Sequence, residues 1–208
     1  MKSLEEQLDA AGLSVFGCCQ GLEAYGADLL QTSPLLEDFS RAEADTLLRA
    51  MVLVRAEPGQ VMIREGDAGE WMMLVLKGTV DIAKRIPDAP EDRLGPATPD
   101  TADGAAAVAA PVRFSRVAVI QRGAAVGEMS MLDSEPRYAS CTAIEAVEAG
   151  VLGRRAIGLL IRDHPGVGAR LLVKITQLMA QRLRNTSNQL VKLLQHPSGV
   201  KARADTQK

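Results

Sequence analysis

The chain has 208 residues, 47% of them apolar and 24% charged, the balance of a globular protein and not of a disordered one. Aromatics make up only 3%, so the core must be built from Leu, Val, Ile, Met and Ala. A net charge of −2 excludes a surface given over wholly to nucleic acid, and no apolar run approaches the ~20 residues that span a bilayer.

Residues 1–9 carry three acids and one lysine with no apolar stretch, which excludes a secretory signal. Residues 1–34 read as a helical extension broken by glycines, with 22–31 its better helix. Cys18, Cys19 and Cys141 are odd in number and badly spaced for a disulfide framework, so they read as inert, reduced thiols of a cytoplasmic protein. Ser33-Pro34 is a helix-start signal. Ser40 then suits an N-cap, with Ala42, Ala44, Leu47 and Leu48 following as helix formers.

After Met51 the period changes. Val52, Val54, Val61 and Ile63 alternate with polar residues, and Gly59, Gly66, Gly69 and Gly78 punctuate them. Residues 71–76 are a continuous apolar run, and 79–85 alternate again. Short strands with glycine turns indicate an antiparallel β-barrel or sandwich. Residues 87–111 hold five of the ten prolines, eight alanines and five acids, and cannot bury enough apolar surface to offset their ordering entropy. They read as a disordered insertion between two strands, because strand patterns resume at 112–120, 141–144 and 147–152. From 156 the period is helical: one helix to Asp163, ended by His164-Pro165, then a long helix over 166–195 with an apolar stripe from Leu171 to Leu194. A polar tail, 196–208, closes the chain. The fold class is α+β: an antiparallel barrel of jelly-roll type over 35–165, flanked by N-terminal helices and a long C-terminal helix.

Enzyme signatures are missing. No glycine loop precedes Lys2-Ser3, Leu171 stands where a dinucleotide motif needs its third glycine, and no Gly-x-Ser-x-Gly elbow occurs. His164 and His196 both lie in helix-ending His-Pro pairs, which suits no metal-binding barrel. The chain therefore reads as a non-enzyme without metal or cofactor.

The informative stretch is 127–140, Gly-Glu-Met-Ser-Met-Leu-Asp-Ser-Glu-Pro-Arg-Tyr-Ala-Ser. Gly127 allows backbone to approach a ligand closely. Residues 128–132 can form one helical turn whose free N–H groups suit an anion. Arg137, beyond a turn holding Pro136, offers a fork of donors for a phosphate. A carboxylate at Glu128, beside such an arginine, makes sense as an acceptor for a ligand hydroxyl such as a ribose 2′-OH.

These residues resemble the phosphate-binding cassette of the cyclic-nucleotide-binding domain family, shared by kinase regulatory subunits, gated channels and bacterial catabolite activators. Gly127, Glu128, Met129, Ser130, Met131, Pro136, Arg137 and Ala139 fall at the kinase-type spacing without a gap, and residues 58–67 and 74–80 resemble the family's first hairpins. The resemblance runs from about Leu35 to Leu194. It implies that Glu128 accepts from the ribose 2′-OH and that Arg137 pairs with the cyclic phosphate. The N–H groups around Met129, Ser130, Tyr138 and Ala139 would complete the cradle, and Leu159, Leu160 and the following helix would form the lid. Tyr138 departs from the family's small residue: turned inward it crowds the pocket, turned outward it leaves its N–H to serve. Without a Thr there, cAMP is favoured over cGMP. The segment holding Arg182, Thr186 and Ser187 resembles the catabolite activators' long helix, where a Thr-Ser pair meets adenine across a dimer. Here the helix runs about a turn longer before it.

The resemblance implies a module that senses cyclic nucleotide and signals to a protein effector. The alternative is a degenerate domain that keeps the fold and acts as a ligand-free scaffold. Plainer readings stand beside the residues: a surface ion pair for Glu128 and Arg137, and ordinary helix-surface polars for Thr186 and Ser187. The stripe over 171–194 must pack on the barrel or on a second copy as a homodimer. No specific DNA binding is expected, because only 14 residues follow Leu194, and no membrane partner is expected.

Overall fold

A computed structural model describes residues 3–86 and 113–195. The expected insertion at 87–111 and the tail at 196–208 lie outside the described residues.

Ser3 opens helix α1 (Leu4–Ala10) through a capping box: its hydroxyl accepts from Glu6 N at 3.1 Å and its N–H donates to the Glu6 carboxylate at 2.7 Å. The chain between α1 and Ser40 departs from the expected helices. Strand β1 (Ser14–Cys18) pairs antiparallel with β2 (Val52–Ala56). Its side chains are nearly all exposed, so no alternation marks it in the sequence; it exists through the backbone of its partner. The helix expected over 22–31 is split about Gly26 into a 3-10 turn (Leu22–Tyr25) and the single-turn α2 (Leu29–Thr32). Ser33-Pro34 leads into a turn, not a helix, with Leu36 N and Glu37 N donating to Ser33 O. The buried Ser33 hydroxyl is taken instead by Gly123 O at 2.7 Å. Ser40 caps α3 (Arg41–Arg49) as expected, in a capping box with Glu43.

The remaining strands are β3 (Val61–Ile63), β4 (Trp71–Lys77), β5 (Thr79–Arg85), β6 (Phe114–Gln121), β7 (Ala125–Val126), β8 (Ser140–Ala143) and β9 (Val147–Gly153). They form two antiparallel sheets, ordered β1-β2-β9-β4-β7 and β3-β8-β5-β6. Pairing among the described strands closes no ring. The fold is α+β, with antiparallel sheets and a long C-terminal helix.

Strand β4 explains its own composition. Trp71, Met73 and Val75 pack among residues from both sheets, with Val54, Ile63, Val80 and Ala143. Met72, Leu74 and Leu76 face the other way, into a cluster with Leu36, Leu47, Leu160 and Leu171 from the helical segments. Both faces of this central strand are buried, hence the unbroken apolar run.

Helix α4 (Glu128–Asp133) lies between β7 and β8, and α5 (Arg154–Asp163) follows β9. Helix α6 (Pro165–Gln195) begins on Pro165, whose missing N–H costs nothing there. The stripe expected over 171–194 divides. Leu171 and Ile175 are buried against the body, and the buried Lys174 ammonium donates to Glu37 at 2.7 Å and pairs with Asp38. Leu183, Leu190 and Leu194 are exposed. Among the described residues, no helix is long and apolar enough to cross a membrane.

Candidate functional site

The site is built where β7 turns into α4. Gly127 sits at φ 84°, a conformation that a side chain would strain, and a Cβ there would lie 2.8 Å from Arg137 Nη1. The turn delivers Glu128, Met129 and Ser130 as the first residues of α4, whose leading N–H groups have no intrahelical acceptor. Glu128 and Ser130 are buried at 3% exposure each, whereas the Met129 side chain is exposed. Ser130 Oγ donates to Pro136 O at 3.4 Å, tying the start of the helix to the return of the chain.

Arg137 arrives from the far end of that loop. Its N–H donates to Asp67 O at 2.8 Å and its carbonyl accepts from Gly66 N at 2.9 Å, so the backbone is fixed on the turn before β4. The guanidinium is 4% exposed, donates through Nη1 to Gly127 O at 2.9 Å, and lies over the Trp71 ring at 4.2 Å from its centroid. Gly69 leaves it room: a Cβ there would come within 2.5 Å of Nη2. Arg137 has no ion pair among the described residues, and its Nη2 is buried without a hydrogen-bond partner. Burial pushes the guanidinium down to about 10, against weaker opposing pulls that include the Glu128 and Asp67 carboxylates.

Glu128 is held by a residue from a distant part of the chain. Arg182 of α6 pairs with Glu128 Oε1 and donates to Ala125 O at 2.5 Å. Glu128 Oε2 is buried without a partner. The cassette therefore holds one buried acceptor and one buried donor with open valences. Such groups are costly unless satisfied. A ligand carrying both a hydroxyl and an anionic oxygen would satisfy both.

The other expected residues are spread around this centre. Tyr138 is 56% exposed, and its ring is covered by Lys84 Nζ at 3.7 Å, which also donates to Tyr138 O at 2.8 Å. The side chain thus points away from the cassette. Ala139 is half-buried beside it. Thr186 and Ser187 are exposed on α6, about one turn beyond Arg182, with Thr186 Oγ1 donating to Arg182 O at 3.0 Å. Leu160 is buried and Leu159 exposed, both on α5. Burial raises the Cys19 and Cys141 thiols to about 11 and about 12, which keeps them protonated and inert.

Four residues of the site carry no motif of their own. Arg182 lies inside the segment noted for Thr186 and Ser187, but nothing local signals its reach to Glu128. Arg154, opening α5, donates to Met131 O at 2.8 Å and Ser134 Oγ at 2.9 Å and meets Glu70 at 3.4 Å, fixing the end of α4. Trp71 and Gly69 form the slot for Arg137. A lone tryptophan close after a glycine, at the head of a buried strand, is the one signal the sequence offers for them.

No family model matches the chain. A CRP-like cAMP-activated global transcriptional regulator of Mycobacterium tuberculosis is 29% identical over 136 residues, covering 65% of this chain and 49% of that protein. The chain thus spans about half the length of that relative. A cyclic nucleotide-binding domain from Methylobacillus flagellatus KT superposes with a TM-score of 0.69 at 25% identity, covering 98% of this chain and 99% of that one. The catabolite activator protein of Thermus thermophilus gives a TM-score of 0.60 at 27% identity, over 77% of this chain and 63% of that one. Sequence relatives, structural neighbours and fold agree: the chain is similar to cyclic-nucleotide-binding domains.

Proposed function

We propose that the chain is a regulatory module that binds cAMP in the 127–139 cassette and passes the event through α5 and α6 to a protein effector. One observation carries the reading: Glu128 Oε2 and Arg137 Nη2 are both buried without a hydrogen-bond partner. Glu128 receives the ribose 2′-OH. Arg137 and the N–H groups around Met129, Ser130, Tyr138 and Ala139 receive the cyclic phosphate. A single negative charge on the ligand offsets the buried guanidinium, which a neutral ligand cannot do. cAMP is preferred to cGMP, since no Thr follows Arg137.

The output runs through α6. Arg182 links that helix to Glu128, so a ligand hydroxyl at Glu128 meets an element that reaches from the cassette to Glu37. Leu159, Leu160 and α6 would move as the lid, and Thr186 and Ser187, exposed on α6, would meet adenine bound to a second copy. The exposed Leu183, Leu190 and Leu194 form the face for that homodimer. The division of labour is a nucleotide-binding unit over 35–165 and an output helix over 166–195, in a cytoplasmic setting, with no specific DNA contact and no catalysis.

Calorimetric titration of the pure protein with cAMP, cGMP and 2′-deoxy-cAMP tests this. Saturable cAMP binding, weaker for the other two, is expected. No heat with any of them at millimolar concentration would refute it.

A further inference from the structure

We propose that Trp71 is the positioning residue for the anion-binding arginine: its indole face holds the Arg137 guanidinium buried and aligned without neutralising it. The proposal rests on the reading of 127–139 as a nucleotide cassette.

A buried cation needs compensation, and a carboxylate is the usual means. A carboxylate in contact with Arg137 would also repel the anion that Arg137 is there to receive. Here no carboxylate forms an ion pair with Arg137 among the described residues. Glu128 pairs with Arg182, and Glu70 meets Arg154. The aromatic face offers a different solution. Its quadrupole attracts the cation but adds no net charge, so the guanidinium keeps its pull on a phosphate. The geometry fits this role. Trp71 opens β4, is 3% exposed, and packs in the same cluster as Leu8 and Leu13 of the N-terminal segment, so the ring itself is immobilised. Arg137 Cζ lies 4.2 Å from the ring centroid, Nη1 is fixed on Gly127 O, and Gly69 keeps a side chain out of the space. The guanidinium is thus restrained both across its face and at one edge before a ligand arrives, which lowers the ordering cost of binding.

The test combines variants with the parent's own fluorescence. Trp71→Leu and Trp71→Phe are made in the parent and in an Arg137→Ala background, with thermal unfolding to report the fold. Trp71→Leu should weaken cAMP binding roughly ten-fold, and Trp71→Phe should recover most of it because a ring face remains. In the Arg137→Ala background neither change should weaken cAMP binding further. Equal weakening in both backgrounds, or parental affinity for Trp71→Leu, would overturn the proposal. Trp71 is the chain's single tryptophan, so if the leucine variant does not fold, the parent still decides. Its emission should change on cAMP titration and saturate at the calorimetric Kd, and unchanged emission with cAMP bound would overturn the proposal. A parent that binds no cyclic nucleotide would remove the cassette reading itself and this inference with it.

Discussion

Arg137→Ala separates the cost of the site from its use. In the free protein, burial holds the guanidinium down at about 10, a fall from its ordinary value worth roughly 3 kcal/mol of unfavourable burial. The hydrogen bond to Gly127 O and the stack on Trp71 return part of that, about 1 kcal/mol each. Removing the side chain therefore deletes a cost and two gains of similar size, and the unliganded variant should melt within a few degrees of the parent. Binding is different. A cyclic phosphate would give Nη2 its missing partner, so the variant should lose ~2–5 kcal/mol of affinity, as when one partner of a buried charge pair is truncated. About 3 kcal/mol is roughly two orders of magnitude in Kd. Arg137→Lys keeps the charge but not the fork, and should fall between. Calorimetry gives the affinities, and thermal unfolding with and without cAMP gives the stabilities. Two results would refute the reasoning: a folded Arg137→Ala that binds cAMP as tightly as the parent, or a variant that unfolds in the absence of ligand.

Three further outcomes are expected. Gly69→Ala places a Cβ 2.5 Å from Arg137 Nη2, so the guanidinium must leave its slot; cAMP affinity should drop by ~1–3 kcal/mol with the fold retained, and calorimetry at parental affinity would contradict it. Replacing residues 87–112 by Asn-Gly should leave folding and cAMP binding intact, because Arg85 already pairs with Phe114 and Ile86 N donates to Arg113 O at 2.9 Å; an insoluble product would count against it. The Arg85 N–H, and then Lys84, hold the Glu65 carboxyl below its ordinary value of 4.5. Its stabilisation is therefore present above 4.5 and lost as the pH falls through the lower folded value. Urea unfolding should find Glu65→Gln less stable than the parent at neutral pH, with the gap closing in acid; a gap independent of pH would show that Glu65 acts only by packing.

Much of this protein can be read locally. The candidate site is legible because its chemistry is contiguous: the Gly127 turn, the Glu128 carboxylate and Arg137 fall within eleven residues. The Ser40 cap and the strands at 79–85 and 147–153 are legible because each is set by its own period or its own first turn. Strand β1 is not legible, since its exposed side chains carry no pattern and its pairing is supplied by Val52–Ala56. The fate of Tyr138 is not legible either, because Lys84, 54 residues away in sequence, draws the ring outward. The sequence alone names Glu128 and Arg137 as a pair of opposite charges. Only the folded chain decides that they do not satisfy each other: Arg182 takes one carboxylate oxygen, Trp71 takes the guanidinium face, and the remaining valences stay open. The reason is physical. Which charges neutralise each other depends on distances set by long-range packing, and no local pattern of residues carries that information.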